Sequence, residues 1–303
     1  MKGIVIESTG SWYKVDIDGT IHDCRTRGRL RLKGFRSTSP VVVGDRVEVE
    51  FTEAGEGMIT SIEPRTNYII RKASNLSKES HIIASNIDRA MLVVTLVEPV
   101  TAVEFIDRFL VTCEAYKVPV TILLAKIDLL QESPEMVEQF HRIYEGAGYE
   151  VIDISATQGI GVERVKEKLI GKTTLLSGNS GVGKSTLIGA IDPTIDIRTG
   201  EISDSFHKGK HTTTFSTMYR VADGYIIDTP GVKGFGLIDI DDKELWHYFP
   251  EMISRAGECK FFNCTHTHEP HCAVMEAVKR EEIAFSRYES YLKILDEDDK
   301  YRK

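Results

Sequence analysis

The rhythm of hydrophobic and polar positions changes twice along this chain. Up to about residue 65 the apolar positions come in short alternating runs: Gly3 to Glu7, Trp12 to Ile17, Gly19 to His22 and Arg46 to Phe51. Turn signals such as Asp18-Gly19 and Val43-Gly44-Asp45 bound them, and no helical period intervenes. Five or so short strands of this kind predict a small β-barrel of the OB type. Residues 66–85 are more polar and carry Arg71, Lys72 and Lys78; they read as a linker with one strand at Tyr68 to Ile70. From 86 to 238 buried-type strands alternate with helical runs. Strands are expected at 91–97, 120–124, 150–154, 173–177 and 225–227, with helices at 101–116, 134–147 and 162–170. That alternation predicts an α/β domain with a largely parallel sheet. Beyond 239 the helical period returns at Lys243 to Phe249 and Val274 to Leu295, around a loop rich in Cys and His.

Chemistry enters at the ends of the central strands. Gly178, Asn179, Ser180, Gly181, Val182, Gly183, Lys184 and Ser185 fit G-x-x-x-x-G-K-[ST], followed by Thr186, with a strand before and a helix after. Glycines let backbone N–H groups face phosphate oxygens, assisted by the positive helix N-terminus. Lys184 adds a cation for the β- and γ-phosphates, and Ser185 a hydroxyl for magnesium. Asp228-Thr229-Pro230-Gly231 ends an apolar run as the D-x-x-G of a GTPase; Asp228 is assigned to magnesium through water and the Gly231 N–H to the γ-phosphate. Lys126 and Asp128, in Ala125-Lys126-Ile127-Asp128, resemble the guanine-reading N-K-x-D. Ser155 and Ala156 open a loop that backs the base. His211-Thr212-Thr213-Thr214 occupies the place of a switch supplying a threonine, Thr213, to magnesium.

The order of these motifs is informative. The base-reading loops precede the phosphate loop, and Asp228 closes the series, so the P-loop GTPase domain is circularly permuted. The chain leaves it directly after the switch, so nucleotide state is expected to pull on whatever follows. Two positions depart from the usual pattern. Ala125 replaces an asparagine that supports the base edge; Asp128 keeps the preference for guanine, because adenine leaves its carboxylate unpaired. Val232 stands where a glutamine would orient water. His211 is the side chain best placed in sequence to take over, and a loop histidine without that role is the competing reading.

The hydrophobic share of 41% and charged share of 28% suit a globular protein of two or three domains. No apolar run approaches the roughly 18 residues of a membrane span, and Met1 to Glu7 is too short and charged for a secretion signal. A cytoplasmic monomer with no membrane partner is expected. Net charge is −8, so a nucleic-acid surface has to be local. Arg25, Arg27, Arg29, Arg31, Lys33 and Arg36 form such a patch, uninterrupted by acids. It suits RNA phosphates; it also suits a solvated edge strand. Of five cysteines, Cys24 and Cys113 are isolated. Cys259, Cys264 and Cys272 combine with His266 as C-x₄-C-x-H-x₅-C, a closed structural zinc site, with His268 and His271 as alternative ligands. The last helix carries Lys279, Arg280, Arg287 and Lys293 among many acids, a pattern that reads as a solvated face.

With the permuted loops, the barrel and the zinc quartet together, the chain resembles the bacterial ribosome small-subunit-dependent GTPases, the RsgA, YjeQ and YloQ family. The resemblance covers essentially the whole chain. It rests on Gly178 to Ser185, Gly209 to Thr214, Asp228 to Gly231 and the Cys259–Cys264–His266–Cys272 set. It implies an OB-fold domain (1–65), a permuted GTPase domain (86–238) and a helical zinc-binding domain (239–303). It further implies GTP or GDP, magnesium and one structural zinc. The expected activity is GTP hydrolysis in late maturation of the small ribosomal subunit, stimulated by that subunit and followed by release. By position, Lys184, Thr213 and His211 take the catalytic roles. RNA contact falls to the barrel and the basic run.

Overall fold

The computed structural model of the 303-residue chain describes residues 1–9, 11–26, 40–71, 81–195, 217–228 and 243–301. His211, Thr213, Gly231, Val232 and the basic run beyond Arg25 lie outside the described residues.

Five strands make the N-terminal barrel: β1 (Lys2–Ser8), β2 (Tyr13–Ile17), β3 (Thr20–Thr26), β4 (Arg46–Phe51) and β5 (Gly57–Ile62). They pair in the order β1-β2-β3-β5-β4, and β4 returns to β1 antiparallel, which closes the sheet. This is the expected OB-type barrel. Alternation explains it: Val47 and Val49 point in while Arg46, Glu48 and Glu50 point out, and Val5, Tyr13, Val15, Cys24 and Ile59 fill the interior. Strand β5 was not foreseen, because Thr60 and Ser61 interrupt its apolar run.

The stretch expected as a linker is more ordered than expected. β6 (Tyr68–Arg71) and β7 (His81–Ser85) form an antiparallel ribbon. Ile69, Ile82 and Ala84 are buried, and Ile69 and Ala84 join the core of the central domain. Asp45, fully buried in the Val43-Gly44-Asp45 turn, ties barrel and ribbon together. Arg65 donates to both its carboxylate oxygens at 2.7 Å, and the Ser85 hydroxyl to one of them at 2.7 Å.

The central sheet runs β10 (Glu150–Ile154), β9 (Val120–Ala125), β8 (Arg89–Val94), β11 (Thr173–Ser177), β13 (Gly224–Asp228) and β12 (Thr217–Val221). All neighbours are parallel except the β12–β13 hairpin. A bridge between Glu7 and Thr217 joins it to the barrel. Helices α1 (Val103–Ala115) and α2 (Pro134–Gly146) pack on one face through Ile106, Phe109, Cys113, Phe140 and Tyr144. α3 (Val162–Leu169) and α4 (Lys184–Ile191) pack on the other through Val165, Leu169, Leu187 and Ile188. Because both faces are covered, the inner strands read as continuous apolar runs. Cys113 is buried core.

The C-terminal part is helical, with two corrections. Lys243 to Phe249 holds one 3₁₀ turn, Leu245–Tyr248; the helix proper, α5 (Pro250–Ala256), starts at Pro250, whose fixed φ suits a first turn. Val274 to Leu295 is two helices, α6 (Ala273–Lys279) and α7 (Phe285–Tyr301), parted where Glu281 takes φ 60°. Leu245, Phe249, Met252, Tyr291 and Ile294 form a core that reaches Val111 of α1. Among the described residues, no helix is long and apolar enough to cross a membrane.

Arg287 corrects the reading of the last helix as solvated. Lys279, Arg280 and Lys293 do face outward into ion pairs. Arg287 is fully buried, bonded to Asp107 of α1 at 2.7 Å and to both oxygens of Glu251 of α5 at 2.7 and 3.3 Å. Its guanidinium lies 4.8 Å from the Phe249 ring. Burial pushes the Asp107 carboxyl above its ordinary value, against the pull of Arg287. The carboxylates come from residues far away in sequence, so α7 alone could not reveal them. Arg287→Met is expected to cost roughly 3–5 kcal/mol, because it strands two buried acids. Adding Asp107→Leu and Glu251→Leu should restore most of that, as read by urea midpoints.

Candidate nucleotide and metal sites

Strand register brings the expected nucleotide residues to one edge. Ile154 lies opposite Ala125, Leu124 opposite Val94, Leu92 opposite Ser177 and Leu176 opposite Asp228. Lys126, Asp128, Ser155, Ala156, the 178–186 loop and Asp228 therefore all leave the carboxyl ends of adjacent parallel strands, where open α/β sheets bind ligands.

The phosphate loop is shaped by its glycines. Gly178 has φ 148°, and a Cβ there would collide with the Val93 carbonyl. Gly183, at φ 102°, caps α4, and Lys184 is the first helical residue. Ser180 and Gly181 are exposed, Asn179 and Ser185 half-buried, and Val182 is anchored in the core. The Lys184 ammonium donates to the Gly178 and Asn179 carbonyls at 2.7 and 2.9 Å. That holds a cation over a cradle of backbone, as a polyphosphate requires. Ser185 and Thr186 sit in the first turn of α4, and Ser185 offers the half-buried hydroxyl that a magnesium ion at this loop would use.

The two loops expected to read the base are also held by specific backbone geometry. Lys126 takes a left-handed conformation, φ 59°, and opens the 3₁₀ turn Ile127–Leu130 that holds Asp128 half-buried. Its ammonium donates to the Glu98 carbonyl. Ser155 is buried, with its hydroxyl 3.1 Å from that of Thr157 and accepting from the Gln158 N–H at 3.3 Å. A backbone bridge from Ser155 to Ile160 closes that loop, and Ala156 is half-buried beside it.

Sequence reading missed one support. Residues 95–101, expected in part as strand, form a closed loop after β8. The Thr95 N–H donates to the Thr101 hydroxyl at 3.0 Å and the Thr101 N–H to the Thr95 carbonyl at 2.8 Å. This loop carries the Glu98 carbonyl to Lys126 and places Pro99 beside Gly181. It braces base loop and phosphate loop together. The Glu98-Pro99 pair was the available signal.

The second cluster lies in the C-terminal domain. The ligand atoms of Cys259, Cys264, His266 and Cys272 all lie within 4.8 Å of one another. His266 Nδ1 is 3.6 Å from Cys259 Sγ and 3.4 Å from Cys272 Sγ, and the two sulfurs are 4.0 Å apart. A zinc ion about 2.3 Å from sulfur and 2.0 Å from nitrogen separates tetrahedral ligands by roughly 3.5–3.8 Å, so the set fits. His268 and His271, the alternative ligands, are exposed and outside the cluster. The Ala273 and Met275 N–H groups each donate to a cysteine sulfur at 3.4 Å. Without a cation, burial pushes the Cys264 thiol up to about 12; a divalent metal reverses that preference.

Glu269 organises the loop and was not foreseen. Its carboxylate accepts from the Thr265 N–H and hydroxyl, both at 2.6 Å, and from the Thr267 N–H at 3.1 Å. Tyr288 and Tyr291 of α7 donate to the His266 and Thr265 carbonyls at 2.8 and 2.6 Å.

A sheet order of β12-β13-β11-β8-β9-β10, entered in the chain at β8, with these loops on one edge, defines a circularly permuted P-loop GTPase. Comparison narrows the class. The sequence model of the RsgA GTPase matches residues 62–238, and that of the RsgA N-terminal domain residues 2–59. The chain belongs to the RsgA GTPase family, a family of GTP hydrolases. It is 53% identical to "Small ribosomal subunit biogenesis GTPase RsgA 2" of Bacteroides thetaiotaomicron, over 100% of this chain and 99% of that one. It is 52% identical to the RsgA of Bacteroides fragilis with the same coverage. Among solved structures, YjeQ from Thermotoga maritima superposes with a TM-score of 0.79 at 35% identity, covering 98% of this chain and 97% of that one. YloQ, described as a circularly permuted GTPase, gives 0.75 at 29% identity, covering 100% and 96%.

Proposed function

We propose that this protein is a GTP-hydrolysing timer in biogenesis of the small ribosomal subunit: it binds the subunit with GTP and leaves after hydrolysis. The observation that carries the reading is the convergence of the permuted guanine and phosphate loops on one sheet edge, in a chain whose full-length relatives are named for that process. In this reading Asp128 accepts from guanine, Ser155 and Ala156 back the base, and the 178–186 loop with Lys184 holds the phosphates. Ser185, Thr213 and Asp228 hold magnesium, which supplies charge neutralisation on the phosphates when bound. Gly231 meets the γ-phosphate, His211 orients water in place of the glutamine that Val232 displaces, and the zinc quartet is structural. The OB-type barrel and the Arg25 to Arg36 run meet ribosomal RNA.

Single-turnover GTP hydrolysis with and without purified small subunits tests the proposal. Strong stimulation by the small subunit, absent with the large one, is the expected result. Equal rates in both would remove the timer and leave a nucleotide-switched RNA-binding protein.

Ala125 makes a separate prediction. The residue is 5% exposed at the end of β9, where an asparagine would add hydrogen bonds to base and loop. At about 1 kcal/mol for such a bond, Ala125→Asn should tighten GDP binding roughly 3- to 10-fold. Fluorescent-GDP titration checks it; unchanged affinity would mean that the base is read without this position.

A further inference from the structure

The described barrel surface carries an aromatic–cation arrangement that nothing so far uses. Trp12 stands at the mouth of β2, 40% exposed. Thr9 closes the β1–β2 loop onto the Trp12 carbonyl with its N–H at 3.0 Å and its hydroxyl at 3.1 Å. Tyr13 pairs with Cys24, so the next outward position on β3 is Arg25. Its guanidinium carbon lies 3.8 Å from the centre of the Trp12 ring. On the other side Arg25 pairs with Met58 of β5, which pairs with Glu50 of β4. Exposed lysines elsewhere on the barrel are occupied: Lys2 bonds Glu63 and Lys14 bonds Glu7, each at 2.7 Å. Among the described residues Arg25 has no carboxylate partner; it lies over the indole.

We propose that Trp12 and Arg25 form a stacking platform for one unpaired RNA base, so that the barrel grips RNA through a base as well as through phosphate. This rests on the RNA-binding reading of the barrel. Three observations favour a nucleotide over a protein side chain. A planar indole and a planar guanidinium already stack, leaving a flat cationic layer open to solvent. The layer sits on the β1–β2 loop and β3, the part of an OB barrel that receives oligonucleotides. In sequence β3 leads into six basic residues, from Arg25 to Arg36, with no acid among them.

The full chain has two tryptophans, so its fluorescence reports the platform. Single-stranded RNA of roughly ten nucleotides, within the span of one OB barrel, should quench the parent. The quench should vanish in Trp12→Phe, which leaves Trp246 as background. Heparin, a polyanion without bases, should not reproduce it. By anisotropy of labelled RNA, Trp12→Ala should bind roughly 10-fold more weakly, and Trp12→Phe, which keeps a π-face, within about 2-fold of the parent. RNA binding without a Trp12-dependent quench, an equal quench by heparin, or undiminished binding by Trp12→Ala would each overturn the platform. None of these touches the RNA reading of the barrel. Absence of any RNA binding overturns the platform too, and cosedimentation with small subunits then decides whether the broader reading falls with it.

Discussion

Lys184→Ala is expected to lower GTP turnover by at least about 100-fold, the scale seen when one preorganised charge on a developing anion is removed. The structure explains why the loss should be chemical and not conformational. Lys184 is the first residue of α4, and alanine keeps that helix. Its ammonium donates to the loop carbonyls of Gly178 and Asn179, so alanine removes the cation from over the loop without touching the strand that carries it. Gly178→Ala provides the contrast: its Cβ would meet the Val93 carbonyl of a fully buried strand residue, and the loop itself would have to shift. Lys184→Ala should therefore melt like the parent while Gly178→Ala melts lower, both with turnover lost. Single-turnover hydrolysis beside thermal melts makes the comparison. Turnover of Lys184→Ala within about 3-fold of the parent would mean that the phosphates are held elsewhere, since a phosphate-loop lysine cannot be dispensable to the transferring group.

What the sequence made legible was mostly local or periodic. Strand–glycine loop–helix at 173–191 and the zinc spacing are short-range patterns with few structural solutions, and the order of the loops disclosed the permutation. The barrel was legible as a class because its strands alternate, although β5 was hidden by Thr60 and Ser61. What escaped was long-range. Arg287 looked like one more charge on an acidic helix, and only the approach of Asp107 and Glu251 from elsewhere makes it a buried clamp. The 95–101 brace was hidden because Val93 and Val94 continue in sequence into Leu96 and Val97, which read as strand. Ribbon β6–β7 was masked by the polar composition of 66–85, within which Ile69, Ile82 and Ala84 are few but buried.

Loss of the metal is expected to have the largest effect on folding, and to confine it to the C-terminal domain. Cys272→Ser, or chelation of the parent, should remove roughly 10 kcal/mol of binding energy that is also folding energy. Three sulfurs and an imidazole converge within 4.8 Å, with Cys264, Cys272 and His266 buried; as thiolates the sulfurs repel one another unless a cation lies between them. Since binding requires deprotonated ligands, metal affinity should fall as pH falls. The consequence reaches beyond the loop. The loop's carbonyls bind Tyr288 and Tyr291, and these belong to the helix that carries Arg287 to Asp107 of α1. Melting the domain therefore leaves Asp107 buried in α1 without its cation, so the central domain should lose some stability while its sheet and phosphate loop stay folded. Hydrogen exchange resolves this. Amides of 250–256, 273–279 and 285–295 should lose protection, those of 184–188 should keep it, and α1 should fall between. Metal analysis of the parent should return one zinc per chain. Full protection of α6 and α7 in metal-free protein would show that Leu245, Phe249, Met252 and Tyr291 suffice for a core, and the quartet would then be a binding site on a domain that folds without it.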